Sequence, residues 1–260
     1  AFILNRIGDF GFLIGLMMIL NYFETFNFLS IFEDTLKTRP ENLDLIILFL
    51  LLGAFGKSAQ FPLFSWLPDA MEGPTPASAL IHAATMVTAG VFMLVRISPL
   101  LQFSEIGSIT IISLGLLTAL ISAFAAINQD DIKKVLAYST ISQLGFMFIA
   151  IGAGAYVAAI FHLVTHAFFK ALLFLGAGAV IHEMHHEQNI YKMGGLRKKM
   201  PVPAAMMGIG TLAISGIPPL AGFWSKDEIL ASVFSRGGIY YVFWALSLLA
   251  ALMTAFYMGR

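Results

Sequence analysis

The chain has 260 residues, 58% hydrophobic and 12% charged, against roughly 25% charged in an average soluble domain, and its mean hydropathy of +0.84 belongs to a membrane protein. Fifteen Lys and Arg cancel fifteen Asp and Glu, a balance that argues against nucleic-acid binding and against electrostatic adhesion to a membrane surface. The absence of cysteine excludes disulfides, thiolate metal sites and iron–sulfur clusters held by the chain itself.

The opening AFILNRIGDF and the closing AFYMGR read as cuts through a longer polypeptide, so the chain is expected to be a fragment, and no signal peptide is inferred. Apolar runs of about 20 residues, the length that crosses a hydrocarbon core, are expected at 1–22, 44–66, 77–97, 106–127, 134–153, 156–182, 203–235 and 238–258. Each is expected to be helical, because an open sheet leaves backbone groups unpaired in lipid. The expected fold class is all-α, a polytopic membrane helix bundle of about eight spans forming a single domain over 1–260.

In the first span Arg6 and Asp9 stand three residues apart and can neutralise one another; a conducting role for Asp9 is the second reading. The 22–44 connection is the longest ordinary loop. The second span runs LLLGAFGKSAQFPLFSWLPDAMEGPTPAS, with Pro62, Pro68, Pro74 and Pro76 after Lys57. The seventh runs MGIGTLAISGIPPLAGFWSKDEILASVF, with Gly216, Pro218, Pro219 and Gly222 before Lys226. Proline and glycine break a helix there, which is tolerable at membrane depth only where the backbone is buried in protein or lines a wet cavity. A pair of interrupted spans points to a transport site, and the two share an echo, Pro62-Leu63, Trp66 and Asp69 against Pro219-Leu220, Trp224 and Asp227. The plainer reading is two unrelated kinks.

Lys57, His82, His162, His166, Lys170 and Lys226 fall inside or close to apolar spans, where a charge costs roughly 2.5–3.5 kcal/mol on insertion scales. Loss of water disfavours the charged form of a lysine, which lets it exchange a proton near neutral pH. The stretch IFHLVTHAFFKALLF sets His162, His166 and Lys170 at successive i+4 steps, a ladder on one helix face with steps of about 6 Å. Histidine and lysine so arranged suit proton hopping through water; the competing reading is polar groups that hold helices together. For Lys57 and Lys226 the competing reading is snorkelling to the interface, eased for Lys226 by Asp227 and Glu228. In NQDDIKKVLAYST, Asp130, Asp131, Lys133 and Lys134 read as a solvated helix start, with the acids at the favoured end of the dipole. Lys133, Lys134, Lys192, Arg197, Lys198 and Lys199 collect on one side of the alternating spans, which is expected to be cytoplasmic.

His182, Glu183 and His186 spell H-E-x-x-H, the helical signature of zinc proteases. An intramembrane protease of that kind needs a third ligand, and no Asp other than Asp9 lies well inside an apolar run. Protease chemistry also leaves Lys57, Lys170 and Lys226 without a role, so the motif is read as a chance match and no metal is expected.

Several stretches carry a family resemblance: GKSAQFPLFSWLPDAMEGPTPASALIHAATMVTAGVF, DDIKKVLAYSTISQLGFM, FHLVTHAFFKALLFLGAG, HHEQNIYKMGGLRKKMP and GFWSKDEIL. Together they resemble the large antiporter-like membrane subunit of proton-pumping NADH:quinone oxidoreductase, respiratory complex I, over essentially the whole chain. The resemblance implies inverted five-helix repeats, each with a discontinuous helix, and the present spans as the sixth to thirteenth of that fold. It implies a proton relay in which Lys57 and Lys226 are the lysines of the two broken helices, and His82, His162, His166 and Lys170 connect them. Asp227 is the acid beside the second lysine, Asp9 an aspartate at the start of its helix, and a glutamate partner of Lys57 lies upstream. It further implies no cofactor in this chain, with NADH, flavin, iron–sulfur clusters and quinone in partner subunits, and as partners the other complex I membrane subunits, the bilayer and protons. The expected location is a bacterial inner membrane, or a mitochondrial inner or thylakoid membrane in an organelle. The large subunit of multisubunit sodium/proton antiporters resembles the same fold and is the alternative.

Overall fold

Helix ends set the plan, because each leaves backbone groups that something must satisfy. A computed structural model describes residues 1–260. Its helices, in order, are α1 (Phe2–Phe23), α2 (Phe28–Lys37), α3 (Leu43–Lys57), α4 (Trp66–Asp69), α5 (Thr75–Ala83), α6 (Ala89–Arg96), α7 (Ser98–Leu101), α8 (Glu105–Ile127), α9 (Ile132–Gly152), α10 (Tyr156–Glu183), α11 (Pro201–Ser215), α12 (Ala221–Ser235) and α13 (Tyr240–Gly259). There is no strand beyond one isolated bridge between Asp131 and Asn189.

Five helices, α1, α8, α9, α10 and α13, are long and apolar enough to cross a membrane. Three further crossings are jointed, α3 with α4, α5 with α6, and α11 with α12, so the expected eight spans are recovered. The second and seventh break where proline and glycine foretold. The third, expected as one helix over 77–97, is broken as well: α5 ends at Ala83 and α6 starts at Ala89. Thr88 Oγ1 donates to the carbonyls of Ala84 and Thr85, and Thr85 Oγ1 donates to that of Leu80. Threonine hydroxyls that engage nearby carbonyls compete with the helical ladder, and no proline advertises it.

The 22–44 loop also holds a helix. In α2 the Asn27 side chain caps the start by accepting from the Leu29 amide, and Ile31 and Thr35 face inward at i+4 spacing, the mark of a one-sided helix.

The bundle centres on α9, in which every residue from Ser139 to Gly152 is buried. It begins at Asp131, whose carboxylate accepts from the amides of Lys133 and Lys134, an N-cap worth about 1 kcal/mol. The expected solvated start needs one correction. Lys133 is buried, and its Nζ donates to the carbonyls of Met71 and Gly73 at 3.4 and 3.2 Å. A long side chain leaving the first turn of α9 meets carbonyls of the turn that joins α4 to α5.

The two ends of the bundle are distinct. At one, Arg260 donates to the carbonyls of Ile127 and Gln129 and pairs with Asp130, tying α13 to the turn between α8 and α9. At the other, Arg236 Nε donates to the Ala153 carbonyl at 2.8 Å, and Ser104 Oγ donates to Asp44, itself paired with Arg39.

Candidate functional site

The i+4 ladder of α10 faces the interior. His162, His166 and Lys170 are each 0% exposed, as is His82 on α5, and Lys226 on α12 is 4% exposed. Apolar packing alone does not account for five such groups, because a buried polar atom without a partner costs about 1–3 kcal/mol. Their partners follow from the helix breaks.

Lys226 Nζ donates to the carbonyl of Ile214 at 2.5 Å. That carbonyl is free because α11 stops at Ser215 and Gly216 turns left-handed at φ 77°, leaving the last carbonyls of the helix without amides. The approach requires Gly222, where an added Cβ would stand 1.9 Å from the Ala213 carbonyl oxygen. His166 uses the break in the third span in the same way: its Nδ1 is 3.1 Å from the carbonyl of Ala83, the last residue of α5. A carbonyl only accepts, so Nδ1 carries the proton. Lys170 Nζ donates to the Leu136 carbonyl of α9 at 3.0 Å and stands 5.9 Å from the centre of the Phe174 ring, within cation–π range.

His162 Nδ1 lies 2.9 Å from Ser225 Oγ, and Thr165 Oγ1 donates to the same hydroxyl at 3.0 Å. Ser225 precedes Lys226, so α12 joins α10 through adjacent residues. His162 and His166 have ring centroids 6.5 Å apart, and the His82 ring lies 5.1 Å from Phe174. Four imidazole nitrogens have no protein partner: both of His82, Nε2 of His162 and Nε2 of His166.

The fold thus gathers His82, His162, His166, Lys170 and Lys226 into one buried line over α5, α10 and α12. Lys57 sits apart. Its Nζ is 2.9 Å from Asp9 Oδ1, while Arg6 holds the other oxygen of Asp9 at 3.3 Å. The Arg6–Asp9 pair read from spacing is therefore a triad, and the Lys57 side chain remains 38% exposed beside a cavity of about 300 Å³. Asp227 is not brought to the cluster. It lies exposed beside Glu228 on the outer face of α12, while Ser225 and Lys226 point inward.

Sequence reasoning missed Ser225 and Thr165, and also a second polar layer. Tyr257 donates to Ser139 at 3.0 Å, and Gln143 Nε2 reaches Thr254 at 3.5 Å, joining α9 to α13. The run YSTISQ inside an apolar span was the available signal.

The H-E-x-x-H residues do not share one helix. α10 ends at Glu183, and His186 follows with φ 67°. His182, Glu183 and His186 are all exposed, with the two rings 6.4 Å apart. Beyond them Glu187 accepts from Lys192 at 2.8 Å and from the amides of Gln188 and Asn189, and the Lys192 hydrogen bond, followed by that of Asn189, holds its carboxyl below the usual range.

Residues 1–254 match the family model described as NADH:quinone oxidoreductase/Mrp antiporter, TM. The chain is 52% identical to NADH-quinone oxidoreductase subunit L of Rickettsia bellii, covering 99% of this chain and 41% of that protein. It is 50% identical to NADH-ubiquinone oxidoreductase chain 5 of Acanthamoeba castellanii, covering 100% and 40%. Among solved structures, the Mrp complex from Dietzia sp. superposes with a TM-score of 0.93 at 36% identity, over 99% of this chain and 29% of that one. The chain spans about two fifths of the length of the two oxidoreductase relatives.

Proposed function

We propose, from the premise that this chain belongs to the NADH:quinone oxidoreductase/Mrp antiporter transmembrane family, that it forms part of the proton-translocating membrane subunit of an NADH:quinone oxidoreductase. One observation carries this reading: four unpartnered imidazole nitrogens lie in a fully buried line that also holds two lysines. Buried polar atoms are satisfied by protein or by ordered water, and a site with several polar partners retains water. Rings 6.5 Å apart are too distant for a direct hydrogen bond and suited to a water bridge.

In this reading His82, His162, His166, Lys170 and Lys226 pass protons through intervening water near mid-membrane. Lys170 lies about halfway along α10, some 21 Å from its start at 1.5 Å per residue. The carbonyls of Ile214, Leu136 and Ala83 hold the proton-bearing nitrogens in place, and two buried rings, Phe174 beside Lys170 and Phe146 at 5.3 Å from Lys226 Nζ, keep bulk water away. Asp9 steadies Lys57 until another anion, such as the upstream glutamate implied by the family, takes it over. Asp227 enters only through whatever covers the outer face of α12. NADH, flavin, iron–sulfur clusters and quinone belong to partner subunits of the complex, and electron transfer there drives the changes that this chain converts into proton movement.

The identities near 50% to oxidoreductase subunits, against 36% to the Mrp structure, favour this reading over a sodium/proton antiporter. Lys170→Met tests it. With the complex assembled, the proton gradient formed during NADH oxidation in inverted vesicles should fall by about tenfold or more, because a group obliged to protonate in transit is gone. Normal pumping by the variant would reduce Lys170 to a packing element.

A further inference from the structure

At the basic end of the bundle an apolar pocket of about 280 Å³ is enclosed by α9, α10, α11, α13 and the loop that follows α10. Twelve of its fourteen lining residues are hydrophobic, and on α11 the lining runs from Ala204 through Met207 to Thr211, the i, i+3, i+7 spacing of one helix face. The pocket therefore reaches about 10 Å along that helix at 1.5 Å per residue. An apolar cavity of about 150 Å³ already stays dry and admits benzene, so this one suits a length of hydrocarbon and not water.

The loop closes the pocket toward water. The amides of Ile190 and Ile132 donate to the carbonyls of Asp130 and Gln188, and Tyr191 Oη accepts from Arg260 at 3.3 Å. The segment is thus pinned to α9 and α13, with Met193 and Leu196 lining the pocket. Its charges stay outside. Lys192 is paired with Glu187 and Arg260 with Asp130, whereas Arg197, Lys198 and Lys199, which follow Leu196 directly, are exposed and have no carboxylate at ion-pair distance. In a chain whose charges otherwise cancel, three consecutive cations without counter-ions stand beside a dry pocket.

We propose that this pocket holds one acyl chain of an anionic phospholipid from the leaflet on the basic side, with Arg197, Lys198 and Lys199 binding its phosphate. Basic pockets between membrane helices on that side bind anionic head groups. The loop lies where a head group lies, level with the starts of α9 and α11 and the end of α13. The outer faces of α11 and α13, two of the pocket walls, expose Val202, Ile209, Leu252 and Phe256, an apolar surface for the second chain. Leu136 forms part of the inner wall, and its carbonyl is the acceptor of Lys170 Nζ, so a chain seated there braces the turn of α9 that holds this lysine. The lipid site stands whether or not protons pass along the buried line.

The test uses the assembled complex in nanodiscs of phosphatidylcholine, doped with a phosphatidylglycerol that carries a diazirine in one acyl chain. Irradiation should place label on Met193, Met207 or Met258. The variant Arg197→Gln/Lys198→Gln/Lys199→Gln should lower that label about tenfold or more, since each charge near an anionic head group contributes separately, while label at the exposed Leu252 stays unchanged. A phosphatidylcholine probe with the same diazirine should label the pocket only weakly. Met207→Trp, which fills the pocket, should remove the label there. The three loop side chains are exposed, so their replacement leaves the packing intact, and the outcome does not depend on how well Met207→Trp folds. Absence of label in the pocket, equal labelling by the two probes, or label indifferent to the triple variant would each overturn the proposal. So would a photoreactive residue in place of Met207 that joins to another subunit or to a segment outside 1–260, because the pocket would then be filled by protein.

Discussion

Lys57 and Lys226 carry the same side chain in opposite settings. Lys226 is enclosed, held by one carbonyl and one aromatic face, whereas Lys57 is over a third exposed and tied to Asp9. An ion pair of that exposure contributes about 0–1 kcal/mol to stability. Asp9→Asn should therefore leave assembly intact, and any loss of pumping reports on function rather than folding. With the carboxylate gone, Lys57 and Arg6 face each other without an anion from this chain, and NADH-driven pumping in inverted vesicles is expected to fall several-fold. Lys57→Arg is the sharper test. It keeps the attraction to Asp9, but guanidinium stays protonated at accessible pH. Pumping should drop nearly as far as in Lys57→Ala, measured beside NADH oxidation to an artificial acceptor, which should change little. Full pumping by the Arg variant would mean that only a fixed positive charge is required.

Broken helices supply carbonyls that His166 and Lys226 use, those of Ala83 and Ile214, so the elements are as informative as the residues. In Gly222→Ala the new methyl collides with the Ala213 carbonyl, α11 and α12 must part, and Lys226 loses the Ile214 oxygen. Such overpacking costs about 1–3 kcal/mol. The expected result is a lower thermal midpoint for the complex together with reduced pumping; an unchanged midpoint would show that the crossing relaxes freely. The loop after α10 offers a pH test. The Glu187 carboxyl is held below its reference value of 4.5 by Lys192 and the amides of Asn189 and Gln188. A lowered carboxyl pKa gives stabilisation that is complete above the unfolded value and lost as pH falls through the folded one. Amide-exchange protection at Gln188 and Asn189 should thus hold down to about pH 4.5 and decline below it. In Lys192→Ala the decline should begin at higher pH.

Across the whole molecule, charge separates two ends: Lys192, Arg197, Lys198 and Lys199 beside Arg260 at one, Arg39, Arg96 and Arg236 at the other. The excess of Lys and Arg predicts that the first is the cytoplasmic end. Lys198→Cys and Gln102→Cys, both at exposed positions, should react with an impermeant thiol reagent from opposite faces of sealed vesicles, Lys198→Cys from the cytoplasmic one. Between these faces α9 is buried over most of its length, so its serine, threonine and glutamine groups contact only other helices. The buried histidine and lysine line lies on its α10 side and the Ser139–Tyr257 and Gln143–Thr254 layer on its α13 side.

Local pattern alone determined that the chain is all-helical, crosses a membrane about eight times, breaks at Lys57 and near Lys226, and stacks His162, His166 and Lys170 on one face. These are properties of a single segment: apolar length, the missing amide of proline and the 3.6-residue turn act within a few residues. The amphipathic α2 and the polar run of α9 were legible too, in FLSIFEDTLK and YSTISQ, though a reading for long apolar runs passes over both. Which groups meet was decided only by the tertiary structure. The spacing of Arg6 and Asp9 is satisfied within α1, and nothing in it shows that Lys57 from α3 takes the second oxygen. Lys133 reads as part of a solvated helix start until the turn between α4 and α5 is laid across it, and Asp227 adjoins Lys226 in sequence yet faces outward. The third break, made by threonine hydroxyls without proline, had no strong local signal. Pairings between helices depend on how each is rotated and how closely it approaches its neighbours. Small residues such as Gly222 and Gly178 fix that closeness only once the facing helix is in place.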